Sequence, residues 1–380
     1  MGITKRLNWQ NIFIFLFLII FPFGQIIRIG ILQPLDVVVG LAAVYSIIKK
    51  LEVPEFFKHL RPFLFIAGIS WIFSIFFFHQ ITVLYGLLYL LRLVAYFYFG
   101  VYVWNFVKKK TGNKKLLLDS LLSLSLISAL FGWIQFFTFP DIKPFFVWGW
   151  DMHLFRIVGT FLDPTFLGLV IVFGLILSIY RCIDNWGLKN ILFTLFLLIS
   201  LAFTYSRASY LAFSAGILSI IYFQKKFKKL ILLIIGLGLV AFILPTSRNR
   251  SIELFRTFST FAKIENYQST LKIFSKSPVF GVGYNNMCMA YQKYVGFQDF
   301  SSHACSGSDS SLLFVLATTG IVGLMIFIFS IWKVIEFLPR NRNFLILGAS
   351  FLALIVHSLF SNSMFYPWIM GWIMILLAEV

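Results

Sequence analysis

Runs of apolar residues about as long as a bilayer is thick alternate with short polar connections along nearly the whole chain. They fall at about 12–27, 35–48, 63–78, 83–107, 116–139, 160–180, 191–204, 210–223, 230–244, 312–332, 344–359 and 364–378. A membrane-crossing helix needs about 20 mostly apolar residues, and several of these runs are shorter. The strict alternation of a barrel strand is absent. In hydrocarbon a helix satisfies its own backbone groups, so the runs predict helices. The first follows Lys5 and Arg6 in the manner of a secretory signal. With so many runs behind it, it reads as a retained helix. One long stretch, 246–310, breaks the pattern with polar clusters such as Thr246-Ser-Arg-Asn-Arg and Ser301-Ser-His-Ala-Cys. No internal repeat, low-complexity linker or soluble end domain is visible. The pattern predicts an all-α fold, one integral membrane domain over 1–380. It is a polytopic bundle of about 12 transmembrane helices with 246–310 as its large loop.

Composition agrees. The chain is 60% hydrophobic and only 12% charged, against about 25% charged in soluble domains. A formal charge of +18 would suit nucleic acid if it lay on one soluble face. Here the lysines and arginines sit in short clusters between apolar runs, the pattern that orients a membrane protein. With the N-terminus inside, alternate connections hold Lys5, Arg6 and then basic groups near 49–61, 108–115, 181–189, 225–229 and 333–342. The short connections on the other side hold only Arg28, Lys143, Arg156 and Arg207. Long loops are excluded from this comparison. Both termini are therefore expected in the cytoplasm, and 246–310 outside it.

A few polar residues then stand out on the outer side. Arg156 closes the connection before the run at 160–180, and Arg207 sits in a tight turn between two runs. A charge held so near hydrocarbon is costly without a partner. Two guanidiniums on one face, near Arg248, Arg250 and Arg256, suit a bidentate oxyanion such as phosphate. From spacing alone, snorkelling to lipid headgroups is the more ordinary account of each arginine. Arg92 lies mid-run and must face the bundle interior, where a structural ion pair is expected. Asp36 and Asp163, near outer helix ends, suit capping or pairing with arginines.

Candidates for proton transfer in the loop are His303, Asp309, Glu253, Glu265 and Asp299. His303 is the loop's only histidine, with an ordinary pKa near working pH. Asp309 opens the next helix, where it equally suits an N-cap. Gly281-Val-Gly283 reads as a turn rather than a nucleotide loop. Trp148, Trp150 and Trp368 suit an outer aromatic belt. Cys288 and Cys305 both fall in the loop and could pair in an oxidising compartment, or remain small hydrophobes. No His, Cys or carboxylate spacing suggests a metal site.

Three pieces in order carry a family resemblance. They are Arg156-Ile-Val-Gly-Thr-Phe-Leu-Asp-Pro, Thr204-Tyr-Ser-Arg-Ala, and the loop from Ser277-Pro-Val-Phe-Gly-Val-Gly to the closing Gly320-Ile-Val-Gly. Together they resemble the bacterial O-antigen ligase and O-antigen polymerase superfamily. The resemblance implies a GT-C-like membrane glycosyltransferase of the inner membrane. Its donors are glycans on undecaprenyl pyrophosphate; no nucleotide sugar, cofactor or metal is implied. Chain-length regulator and flippase proteins are the expected partners besides the bilayer. By position, Arg156 and Arg207 would hold the lipid pyrophosphate. Ligases of the family carry His-Asn where this chain has Asp309-Ser310, and the nearest histidine is His303. That departure favours a repeat-unit polymerase over a ligase, with Asp309 ahead of His303 as the base. A transporter or flippase, from another class, would expect polar or broken helices at the midplane.

Overall fold

The computed structural model describes residues 11–27, 32–110, 112–224, 258–296 and 307–380. Among these the chain is helical with no strand. The first six helices are α1 (Ile12–Ile20), α2 (Pro34–Ile48), the single turn α3 (Glu55–Lys58), α4 (Arg61–Phe73), α5 (Gln80–Lys109) and α6 (Gly112–Thr138). Next come α7 (Pro164–Asp184), α8 (Leu188–Phe203), α9 (Arg207–Gln224), α10 (Phe258–Phe274) and the short α11 (Met287–Tyr294). The last three are α12 (Ser311–Phe337), α13 (Arg342–His357) and α14 (Pro367–Glu379). Helices cover every apolar run except 230–244, which lies outside the described residues. Among the described residues, five stretches are long and apolar enough to cross a membrane: Glu55–Phe76, Val83–Lys109, Gly112–Thr138, Pro164–Asp184 and Ser311–Phe337. Six further apolar helices are 10–17 residues long.

Local chemistry sets the helix starts. Proline opens α2, α7 and α14, at positions whose N–H would have no helical partner. Asp163 caps α7 by accepting from the Thr165 and Phe166 amides. For Asp309 the capping expectation is corrected: Ser310 caps α12 through the Leu313 amide, and Asp309 precedes it. Asp36 fills both roles weighed for it. Its carboxylate accepts from the Gln33 amide at 3.1 Å and pairs with Arg92 at 2.6 Å. Arg92 thus has a named partner, with both side chains largely removed from solvent.

Helix α7 is the centre of the bundle. Every residue from Leu167 to Tyr180 is buried, and α6, α8, α9 and α13 pack around it. A second core joins α4, α10, α11 and α12 through Phe63, Ile66, Ile273, Tyr284 and Phe314. The aromatic-belt expectation is corrected in part. Trp148 is exposed, but Trp150 is 7% exposed and Trp368 1%. Trp368 is core, its indole donating to the Phe21 carbonyl at 3.0 Å. At one end of the bundle basic residues pair across helix ends, Arg181 with Asp119 and Arg342 with Asp184. The residues of interest lie at the other end.

The stretch expected to be one large loop is structured where it is described. Between α10 and α11, residues 277–283 form a strap against α12. Helix α12 breaks at Gly320, which takes φ 70° and ψ −174°. A continuous helix would join the Ile321 amide to the Ala317 carbonyl and the Val322 amide to Thr318. Instead Ala317 and Thr318 accept from the Val282 and Gly283 amides at 3.0 and 3.1 Å. The Ile321 and Val322 amides donate to Pro278 and Val279 at 2.9 and 3.3 Å. The strap therefore supplies the bonds that the break forfeits, and Ser70 adds one to the Thr318 carbonyl. Gly281 and Gly283 form the expected turn, both at positive φ. Cys288 is disulfide-bonded, and Cys305 lies outside the described residues.

Candidate functional site

The connection between α6 and α7 is pinned along its length. Asp141 and Leu154 form a β-bridge, and the Ile157 amide donates to the Phe203 carbonyl at 3.0 Å. The Gln135 side chain of α6 accepts from the Val158 and Gly159 amides. Thr160 reaches the turn after α1, donating to the Pro22 carbonyl at 2.6 Å. An internal bridge and three separate elements therefore fix the backbone that presents Arg156.

Arg156 is 3% exposed, so it does not snorkel. Its Nε donates to the Thr204 carbonyl at 2.8 Å and its Nη2 to the Tyr205 carbonyl at 3.1 Å. Nη1 lies 3.4 Å from His153 Nδ1. The guanidinium thus grips the turn joining α8 to α9. Tyr205 sits in that turn at φ 49°, a left-handed conformation that costs a non-glycine residue about 1–3 kcal/mol. The Ser206 hydroxyl accepts from the Ser209 amide, the geometry of an N-cap. Arg207 is then the first residue of α9.

This brings the two sequence-predicted arginines together. Arg156 clamps the backbone one and two residues before Ser206, and Arg207 follows directly. A cation at a helix N-terminus is disfavoured by the helix dipole by about 0.3–1 kcal/mol. The same end, where the N-terminus of α9 and the two arginines meet, is an attractive seat for an anion.

Asp309 is held on the other side of the site. Its amide donates to Asn266 Oδ1 of α10 at 2.8 Å, and its carboxylate lies 3.6 Å from Lys263 Nζ. Lys263 also donates to the Phe360 carbonyl at 2.6 Å. One turn earlier on α10, Thr260 Oγ1 receives Arg207 Nη2 at 3.3 Å. Helix α10 thus runs from Arg207 to Asp309. Tyr267, further along it, has its hydroxyl pushed up to about 12, first by burial and then by the Asp309 charge. Asp151, on the α6–α7 connection, has its carboxyl pushed up by desolvation and then by the charges of Asp163 and Asp309. His303, Asp299 and Glu253 lie outside the described residues. Among the described residues no three His, Cys, Asp or Glu side chains gather as a metal-binding group.

Sequence reasoning passed over Lys263, Asn266, Asp151 and His357. His357 ends α13 fully buried. Its Nδ1 is 2.6 Å from the Ser363 hydroxyl and its Nε2 is 3.3 Å from Ser209. Ser209 in turn donates to Ser206, the cap ahead of Arg207, at 2.8 Å. A lone histidine in an apolar run carries no spacing signal. For Lys263 the available signal was its place on one helical face with Thr260 and Tyr267 (i, i+3, i+7).

Residues 192–328 match a family model described as O-antigen ligase. The match runs from α8 into α12 and includes Arg207, Lys263, Asp309 and Gly320, but not Arg156. It supports the O-antigen ligase and polymerase superfamily, and with it a ligase- or polymerase-type function of glycosyltransferase-like enzymes. It does not divide polymerase from ligase, and it gives the transporter alternative no support. No curated protein matches the chain significantly.

Proposed function

We propose that this chain, which matches the O-antigen ligase family model over residues 192–328, is a polysaccharide repeat-unit polymerase. It works at the non-cytoplasmic face of a bacterial inner membrane. A hydroxyl of one lipid-linked repeat unit attacks the anomeric carbon of another. The bond from that carbon to the phosphate oxygen breaks, and its electron pair leaves with undecaprenyl pyrophosphate. Asp309, with His303 as the other candidate, accepts the hydroxyl proton and releases it to water. Arg207 and the amides at the start of α9 receive the charge growing on the leaving diphosphate. Arg156 adds its field and fixes the turn, so these groups are preorganised before the reaction. The polyprenyl tail stays in the bilayer, so the donor enters laterally.

One observation carries this reading: the buried Arg156 guanidinium spans the two carbonyls that precede Arg207. A ligase of the same chemistry is the second reading, favoured by the description of the matched family. The Asp309-Ser310 pair, where ligases carry His-Asn, favours the polymerase. The test uses Arg156→Ala and Arg207→Ala in cells, with protein level followed by a tag. Both variants should lose polymer at unchanged protein level; normal polymer from both removes the diphosphate role. With wild-type protein and purified lipid-linked substrate, a ladder of repeats on undecaprenyl supports the polymerase. Transfer of one glycan to a new acceptor supports the ligase.

A further inference from the structure

Lys263 stands between two demands. Its ammonium is 3.6 Å from the Asp309 carboxylate, with the side chains 33% and 42% exposed. A close charge-assisted bond would measure about 2.7–2.9 Å. A looser pair at this exposure is worth at most about 1 kcal/mol, so it is readily exchanged. On its other side, Thr260 receives the Arg207 guanidinium at 3.3 Å. Thr260 and Lys263 are three residues apart on α10, so their β-carbons are neighbours about 5–6 Å apart. An anion seated on Arg207 lies within the sweep of a four-carbon stem carrying three rotatable donors.

The helix need not move for that sweep. Asn266 holds the Asp309 amide at 2.8 Å, and Tyr267 donates to the Leu359 carbonyl at 2.5 Å. These bonds fix α10 against the start of α12 and the turn after α13, so the lysine side chain is the part that turns, exchanging its 2.6 Å bond to the Phe360 carbonyl for the phosphates.

We infer that Lys263 is shared between two anions, holding the Asp309 carboxylate when the site is empty and turning to the donor diphosphate when it is occupied. Donor binding then uncovers the carboxylate beside the sugar that is to react. This inference rests on the diphosphate reading of Arg207 and adds to it a third cation and a coupling between donor and base. Before a donor arrives, the Asp309 carboxylate is partly neutralised by the lysine. Once the lysine has left for the phosphates, the carboxylate faces the incoming hydroxyl as an uncompensated charge.

The test measures binding of farnesyl diphosphate, a short isoprenyl diphosphate, to the detergent-solubilised full chain by calorimetry. Thermal unfolding of each variant is recorded alongside. Lys263→Met should weaken binding about tenfold, the 1.4 kcal/mol of one lost charge-assisted contact, while Lys263→Arg stays within about threefold. Asp309→Asn should tighten binding about threefold, because the lysine is no longer shared, and the gain should vanish in the double variant with Lys263→Met. Unchanged binding in Lys263→Met overturns the inference, as does a gain from Asp309→Asn that survives without the lysine. If Arg207→Ala binds the probe like wild type, or wild type does not bind it, the underlying diphosphate reading falls and this inference with it. A strong Arg207 effect with a silent Lys263 refutes the shared lysine alone.

Discussion

Replacing Gly320 by alanine tests the interlock between α12 and the strap. A β-carbon built on Gly320 would lie 2.1 Å from the Val279 carbonyl oxygen and 2.6 Å from the Phe280 amide nitrogen. Both are backbone atoms, so no side chain can turn away. The conformation at φ 70° and ψ −174° is one that residues other than glycine adopt at a cost of about 1–3 kcal/mol. Two responses are open. In one, alanine keeps the break, with that strain and the overlap. Otherwise α12 becomes continuous, restoring its own bonds and stripping the strap of its four backbone partners. Each such bond is worth about 0.5–1.5 kcal/mol net; with four lost and two restored the second route costs about 1–3 kcal/mol, the same range as the strain of the first. At about 2–4 °C per kcal/mol for a domain of 150–250 residues, and less for a longer chain, Tm should fall by about 5 °C. Released strap should also expose the bond after Lys276 to trypsin. Gly348→Ala is the control, since a β-carbon there meets nothing within 4 Å, and it should leave Tm unchanged or slightly raised. Wild-type Tm and wild-type trypsin resistance in Gly320→Ala would refute the interlock.

Arg92→Met should destabilise the protein by about 3–5 kcal/mol, because it leaves the Asp36 carboxylate buried and unpaired. Adding Asp36→Leu should restore most of the loss in a thermal-shift assay. Arg156→Lys keeps the charge but cannot span the Thr204 and Tyr205 carbonyls with a planar fork. Polymer should fall at least about tenfold at constant protein level, an effect of about 1.4 kcal/mol or more on the barrier. His357→Phe removes a partner of the buried Ser363 and Ser209 hydroxyls; Ser209 keeps Ser206 and the Thr165 carbonyl, so the cost is about 1–3 kcal/mol, at Ser363. A thermal-shift assay should read this as a lower Tm, and wild-type Tm in that variant would refute it.

The helices were legible because each element's information lies within its own run. Apolar length marked α2, α5, α6, α7 and α12, and Asp163-Pro164 marked the true start of α7, four residues after the apolar run begins. Arg156 and Arg207 were legible as charges where charge is costly, but their relation was not. The clamp joins a side chain to carbonyls some 48 residues away, and carbonyls leave no mark in a sequence. The same holds for the strap. Gly281 and Gly283 were visible as turn-formers and Gly320 only as part of a family motif, yet nothing in their spacing says that one breaks a helix for the others to mend. Trp368 shows the reverse error. Its position near a helix end suggested the membrane interface, whereas a hydrogen bond to Phe21 O places it in the core. Partners distant in the chain are fixed by packing, which periodicity does not encode.

The Arg92–Asp36 pair has a consequence for how the protein is made. A lone arginine at the centre of a helix raises the apparent cost of insertion by about 2.5–3.5 kcal/mol. Helix α5 carries that arginine but α2 carries its counter-charge, and the two are neighbours in the finished bundle. Since α2 emerges from the ribosome first, the counter-charge is already made when the arginine of α5 follows. The two would then leave for the lipid as a neutral couple, making biogenesis of the first half a concerted rather than a one-by-one event.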